Sequence, residues 1–184
     1  MTATEDFINT LTRLKEGDLG LLRTHAGQGL DESVNGFDIF TGLWWPLRKD
    51  NVRTPERQSA WLVTKLYGAF PVADVRDQGV ELAKLIGRLE KRLREESQRQ
   101  RFRARFDAIL QTPLAKLEPH LSWALSGIRE AVAEGHTRGL DWVRLLDDLR
   151  LWVRGPDVQD REPTRRNRNV RYIWAEQYYL ESTK

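Results

Sequence analysis

Apolar residues recur along most of this chain every three or four positions, the spacing expected of helices that cover a core. The clearest stretch runs from Leu140 to Arg154, LDWVRLLDDLRLWVR. At about 100° per residue, its apolar residues fall within an arc of roughly 120°, the width of a core-facing stripe. They are Trp142, Leu145, Leu146, Leu149, Trp152 and Val153. Asp141 is expected to cap the start of this helix, and Gly155 with Pro156 to end it. A stripe of this bulk must be covered by other helices.

The same periodicity predicts helices through most of the remaining sequence, and no segment alternates strictly between apolar and polar residues. We therefore expect an all-α protein. The predicted helices lie within residues 1–24, where Gly17 and Asp18 break the pattern, and at 56–70, about 79–93, 98–110, 114–132 and 169–180. A chain of 184 residues can form one large domain or two small ones.

Positive charge is concentrated in the middle of the chain. Residues 88–105 contain eight Lys and Arg against three Glu, whereas the whole chain carries a net charge of only +3. Within 98–110, a buried side is marked by Phe102, Phe106, Ile109 and Leu110. Arg99 and Arg103 flank this side on one edge, and Arg101 and Arg105 flank it on the other. Arginine binds phosphates through a planar fork of donors. We therefore interpret this helix as a surface that contacts a polyanion, rather than as an ordinary solvated face.

Catalytic and cofactor-binding patterns are missing from the sequence. It contains no cysteine, which excludes disulfides, thiolate catalysis and cysteine-ligated zinc. The three histidines stand singly, without metal-ligand spacing. Gly27-Gln28-Gly29 lacks the third glycine of a dinucleotide-binding loop, so we do not interpret it as a phosphate site. Asp147 and Asp148 point about 100° apart on a helix, and ion pairs with Arg150 and Arg144 explain them more simply. We expect no metal, cofactor or small-molecule substrate.

Membrane insertion and secretion are not predicted. No apolar run approaches the roughly 20 residues that span a bilayer. The first ten residues, MTATEDFINT, are polar and acidic, unlike a signal peptide. Together with the lack of cysteine, this favours a soluble cytoplasmic protein.

Two aromatic segments allow more than one interpretation, and a third segment is a basic linker. Trp44 and Trp45, and the tyrosines of the last predicted helix, are expected to pack in a core or against a neighbouring subunit, with nucleobase stacking as the alternative. Residues 155–169 form a linker of proline, glycine and charge that includes Arg165, Arg166 and Arg168.

Several stretches together resemble a known family. They are LTRLKEGDLGLLR, WLVTKLYGAFP, RARFDAIL, LDWVRLLDDLRLW and RNVRYIWAEQYY, in the family's order over nearly the whole chain. The sequence is thereby similar to the small subunit (the Cse2/CasB family) of the type I-E CRISPR Cascade surveillance complex. The 155–169 linker departs from the pattern because it is longer and more basic.

The resemblance implies two small helical bundles packed in tandem and joined near residues 94–98, so that 1–96 and 97–184 are the expected units. It implies a non-catalytic protein of antiviral defence, present as two copies that lie head to tail beside other Cascade subunits. Family members hold the guide RNA–target DNA duplex and the displaced single strand, and so stabilise the R-loop. We expect binding that ignores base sequence and weakens with salt.

Candidate nucleic-acid contacts follow from the family stretches and from local charge. Arg23, Arg103 and Arg105 lie in or beside the family stretches. The whole primary set is Arg23, Arg53, Arg57, Arg99, Arg101, Arg103, Arg105, Arg129 and Arg154, and the second set is Arg165, Arg166 and Arg168. Two other classes remain open. One is a structural adaptor whose arginines form salt bridges to neighbouring subunits. The other is a helical enzyme, such as a single-strand nuclease, in which folding assembles a carboxylate or histidine cluster.

Overall fold

The computed structural model describes residues 2–30, 40–43, 54–71, 79–152 and 169–183. Within these ranges the fold is built from α-helices, and no β-strand is present, which confirms the all-α prediction. The helices that position the candidate site are α1 (Ala3–Thr12), α2 (Glu16–Thr24), α3 (Thr54–Ala69), α4 (Leu82–Lys91), α5 (Glu96–Gln111), α6 (Glu118–Ala133), α7 (Trp142–Trp152) and α8 (Val170–Thr183). A 3₁₀ turn, Leu114–Lys116, precedes α6.

The start of α7 follows the sequence prediction. The Asp141 carboxylate accepts a hydrogen bond from the backbone N–H of Arg144, at 2.8 Å, and so caps the helix. The predicted helix at about 79–93 begins later than expected, at Leu82. The reason is that the backbone of Val80 pairs instead with the segment before α7. Its N–H donates to the Gly139 carbonyl, and its own carbonyl accepts from the Asp141 N–H, each at 3.0 Å.

Helix α7 lies at the centre of the core. Its apolar stripe is buried throughout the described part: Trp142, Leu145, Leu146, Leu149 and Trp152. Helices α1 and α3 pack against it, and α8 contributes Trp174, whose ring lies 4.9 Å from that of Trp152. The prediction that other helices cover this stripe is confirmed. Val153 and Arg154 lie outside the described residues.

Helix α4 makes its most extensive contact with α8, although the two are far apart in sequence. A glycine permits the close approach, because a Cβ atom at Gly87 would lie only 2.6 Å from the Tyr178 carbonyl oxygen. Apart from Ala131, the buried apolar residues of the described ranges form one continuous cluster. These contacts are compatible with two helical bundles packed closely in tandem, and the boundary near residue 96 stays a prediction.

None of the described helices has the length and apolar character needed to cross a membrane.

Candidate nucleic-acid interface

The two edges of α5 have different roles in the structure. The edge that carries Arg99 and Arg103 faces α4 and is engaged internally. Arg99 Nε donates to the carbonyl of Leu93, at 2.8 Å. Arg103 Nε donates to Glu90 Oε1 at 2.6 Å, and Arg103 Nη1 lies 3.4 Å from Glu96 Oε1. These two arginines therefore already bind groups of the protein itself.

Glu90 is the centre of this internal cluster. Its side chain is 1% exposed, and its second carboxylate oxygen accepts a hydrogen bond from the Tyr178 hydroxyl, at 2.5 Å. The Tyr178 ring in turn stacks on Phe106, with 3.9 Å between ring centroids. The buried carboxylate raises the pKa of the Arg103 guanidinium. Burial, together with the hydrogen bond to Glu90, raises the pKa of Tyr178, so the hydroxyl keeps its proton and remains a donor.

The other edge of α5 faces α6 and remains open to solvent. Arg101 and Arg105 are both exposed, and neither has an acidic partner among the residues that the structure describes. The guanidinium of Arg105 lies 5.3 Å from the centroid of the Trp123 ring, on α6. Phe102 contacts the same indole at 4.9 Å between centroids. This edge therefore presents positive charge beside a partly exposed aromatic cluster.

Three other predicted contact residues belong to other helices. Arg23, on α2, donates to the Gly68 carbonyl at 2.6 Å and pairs with Glu16 at 2.7 Å. Arg129, on α6, is exposed and lies over the Phe70 ring at 5.2 Å. Arg57, on α3, lines a cavity of about 250 Å³ beside the 27–30 loop. The remaining candidates lie outside the described residues: Arg53, Arg154, Arg165, Arg166 and Arg168.

A partly buried ion pair holds the 27–30 loop between α3 and α6. Lys65 Nζ donates to Glu118 Oε2 and to the Gln28 carbonyl, at 2.5 and 2.7 Å. The other oxygen of Glu118 accepts from the Gly27 N–H at 2.9 Å. Gly27 has φ = 79°, a left-handed conformation that favours glycine. Because the Gly27 N–H already donates to the Glu118 carboxylate, it is not available to bind a phosphate. The loop is instead held by contacts within the protein.

The paired aspartates of α7 form the predicted helix ion pairs. Arg144 Nε lies 3.0 Å from Asp148, and Arg150 Nη1 lies 3.7 Å from Asp147. Asp148 is also 3% exposed and accepts a hydrogen bond from Trp174 Nε1 at 2.7 Å. Burial raises the pKa of this carboxyl, while the hydrogen bond and Arg144 oppose the rise. Within the described ranges, no three His, Asp or Glu side chains come together as metal ligands.

Sequence reasoning missed the burial of Glu90, although a signal was available. Glu90 follows Ile86 by four residues and Leu82 by eight, so it falls within the buried arc of α4. A carboxylate at such a position requires internal partners. Arg103 and Tyr178 are those partners, so the charge of Arg103 is paired inside the protein although its side chain is 48% exposed.

The helices and the arginine edge define a small all-α protein whose candidate site is a basic surface. The same fold occurs in CasB from Thermus thermophilus, at 22% identity and a TM-score of 0.67 over 98% of this chain and 99% of that one. CasB from M. ruber is 20% identical, with a TM-score of 0.68 over 99% and 95%. CasB from Thermobifida fusca is also 20% identical, with a TM-score of 0.58 over 89% and 84%.

Sequence comparison identifies the family. Residues 18–179 match the model of the CRISPR-associated protein Cse2 family. The chain therefore belongs to the Cse2 family, and the family predicted from its sequence motifs is confirmed. No curated protein matches the sequence.

Proposed function

We propose that this chain is the non-catalytic small subunit of a type I-E CRISPR Cascade complex in the cytoplasm. It binds nucleic-acid backbone without reading base sequence, and so stabilises the guide RNA–target DNA R-loop and the displaced strand. Its protein partners are the other Cascade subunits and a second copy of itself. Membership of the Cse2 family supports the CRISPR assignment. The observation that carries the binding proposal is the open edge of α5, where Arg101 and Arg105 are exposed without an acidic partner among the described residues.

A few phosphate contacts suffice for this function. Opening a DNA duplex to form an RNA–DNA heteroduplex is a nearly balanced exchange, so modest backbone contacts shift the equilibrium. Arginines on a folded helix neutralise phosphates and release counterions whatever the base sequence is. Arg101 and Arg105 meet this requirement because neither guanidinium is paired with a carboxylate in the described part of the protein.

The test is fluorescence anisotropy of a labelled single-stranded oligonucleotide at several salt concentrations. Each phosphate contact contributes about −0.7 to the slope of log affinity against log salt. Arg101→Glu/Arg105→Glu should weaken binding and reduce the magnitude of the slope by about 1.4 or more. The matched control is Arg13→Glu/Arg138→Glu, which reverses two exposed arginines that likewise lack an acidic partner among the described residues. A wild-type affinity that does not change with salt would contradict the proposal.

A second candidate function, protein binding as a structural adaptor, is favoured by the surface of α8. Tyr172, Tyr179 and Leu180 are exposed to 65%, 65% and 51%. Their spacing of seven and eight residues places them on one face, where another helix could cover them. In reconstituted Cascade, Tyr172→Glu/Leu180→Glu should reduce retention of this subunit and leave oligonucleotide binding by the isolated chain unchanged. If Arg101→Glu/Arg105→Glu also prevented assembly, the arginines would serve protein contacts as well.

A further inference from the structure

The open edge of α5 combines charge with an aromatic surface. Trp123 packs against the core and is partly exposed at the surface. The Arg105 guanidinium lies over its indole at 5.3 Å, and Phe102 supports the indole from α5 at 4.9 Å. Arg105 nevertheless remains exposed, so its guanidinium is accessible to a ligand.

We propose that Arg105 and Trp123 form a stacking platform for an unpaired nucleobase. This inference rests on the proposed function, because it assigns a base contact to the surface that would bind the backbone. The ligand is single-stranded nucleic acid. A planar guanidinium stacks on aromatic faces, and every base offers such a face, so stacking adds affinity without sequence preference. The indole already orders the guanidinium, which lowers the entropy lost when a base is bound.

The charge around the platform supports this ligand. Arg101 lies one turn, about 6 Å, from Arg105 along α5, close enough to contact a phosphate next to the stacked base. The nearby acidic residues of α5, Glu96 and Asp107, fall on the opposite edge of the helix with Arg103. The open edge of α5 therefore combines an aromatic face with positive charge, as single-strand-binding surfaces do.

A second arginine–aromatic pair provides the comparison. Arg171 lies over Trp152 at 5.0 Å, but this indole is buried and Arg171 is not among the predicted contacts. The same substitution at Arg171 therefore controls for a general effect of replacing an arginine that lies on a ring.

The experiment compares two oligonucleotides of equal length and charge, one of thymidine and one of abasic sites, with the full chain. The affinity of the wild type for the thymidine strand should exceed its affinity for the abasic strand by about fivefold or more, since stacking of one base increases affinity by at least this factor. Arg105→Lys keeps the charge and should retain the salt slope and the abasic affinity while losing most of the preference. Trp123→Leu should lose the preference too, and Arg171→Lys should keep it. Arg105→Lys changes an exposed residue, so it gives an answer even if Trp123→Leu lowers stability.

The possible failures are distinguishable. Equal wild-type affinity for both strands, with a steep salt slope, would overturn the stacking platform and leave backbone binding in place. A preference that survives in Arg105→Lys and Trp123→Leu would place the stacked base elsewhere and overturn the proposal. If neither strand bound even at low salt, both the proposed function and the platform would be refuted.

Discussion

The buried hydroxyl of Tyr178 should contribute measurably to stability, and Tyr178→Phe tests this contribution. The substitution removes one donor and keeps the ring that stacks on Phe106 at 3.9 Å. The partner that loses this donor is Glu90, whose side chain is 1% exposed, so water cannot replace the lost hydrogen bond. Arg103 would then be the remaining donor to this carboxylate within the described part of the chain.

The expected loss follows from the charge of the acceptor. A hydrogen bond to a charged group contributes about 1.5–3 kcal/mol. For a chain of this size, each kcal/mol changes the melting temperature by about 2–4 °C, so Tyr178→Phe should lower it by roughly 3–12 °C. The raised pKa of Tyr178 keeps the hydroxyl protonated, and therefore a donor, at neutral pH.

The assay is urea unfolding followed by far-ultraviolet circular dichroism. The midpoint should decrease while the m value stays constant. The neighbouring Tyr179→Phe removes the hydroxyl of a residue that is 65% exposed and should change stability by less than about 0.5 kcal/mol. Glu90→Leu/Tyr178→Phe should cost less than the sum of its single variants, because removing both partners leaves no unsatisfied group between them. If Tyr178→Phe lowered the free energy of unfolding no more than Tyr179→Phe, the hydroxyl would contribute no such stability. If the loss in the double variant equalled the sum of the two single losses, Glu90 and Tyr178 would not be coupled.

Two further predictions concern the packing of α4 on α8 and the buried carboxylate of α7. Gly87→Ala should destabilise the protein by about 1–3 kcal/mol, because its Cβ would lie 2.6 Å from the Tyr178 carbonyl oxygen and force the helices apart. Gly20→Ala, with no atom within 4 Å of its Cβ, should instead stabilise by up to about 1 kcal/mol, and thermal melts that show the same sign for both would contradict this packing. Asp148→Asn can still accept the hydrogen bond from Trp174, whereas Asp148→Ala leaves that buried donor unsatisfied and should cost about 1–3 kcal/mol. Because burial raises the pKa of Asp148 above its ordinary 3.8, its folded form binds the proton more tightly than the unfolded form. The stability that this protonation provides is present below pH 3.8 and is lost as the pH rises through the folded pKa. Urea unfolding of Asp148→Asn against wild type should therefore show an advantage for the asparagine variant that increases from acid to neutral pH, and a difference independent of pH would contradict the sign.

Local features of the fold were predictable from the sequence because they depend on periods of three and four residues. The buried stripe of α7 and its cap at Asp141 are of this kind. The pairing of α4 with α8 was not predictable, because no local signal connects segments about ninety residues apart. The contact depends on Gly87, which in the sequence alone looks like a weak point in a helix. The later start of α4 has a similar cause, because the partner of Val80 is the distant segment before α7.

In the candidate site, too, the local helical pattern was predictable from the sequence, whereas contacts with residues on other helices were not. Helical geometry alone separates Arg99 and Arg103 from Arg101 and Arg105, as the sequence analysis predicted. Helical geometry does not predict that Arg103 donates a hydrogen bond to Glu90, because this contact depends on how α5 packs against α4. The distinction decides how the arginines should be tested. Reversing the charge of Arg103 would place a second carboxylate beside Glu90, so a variant that includes it would lose stability as well as charge. Lost binding would then have two explanations. Reversing Arg101 and Arg105 alone changes only the open edge, and a decrease in affinity can then be assigned to the nucleic-acid surface.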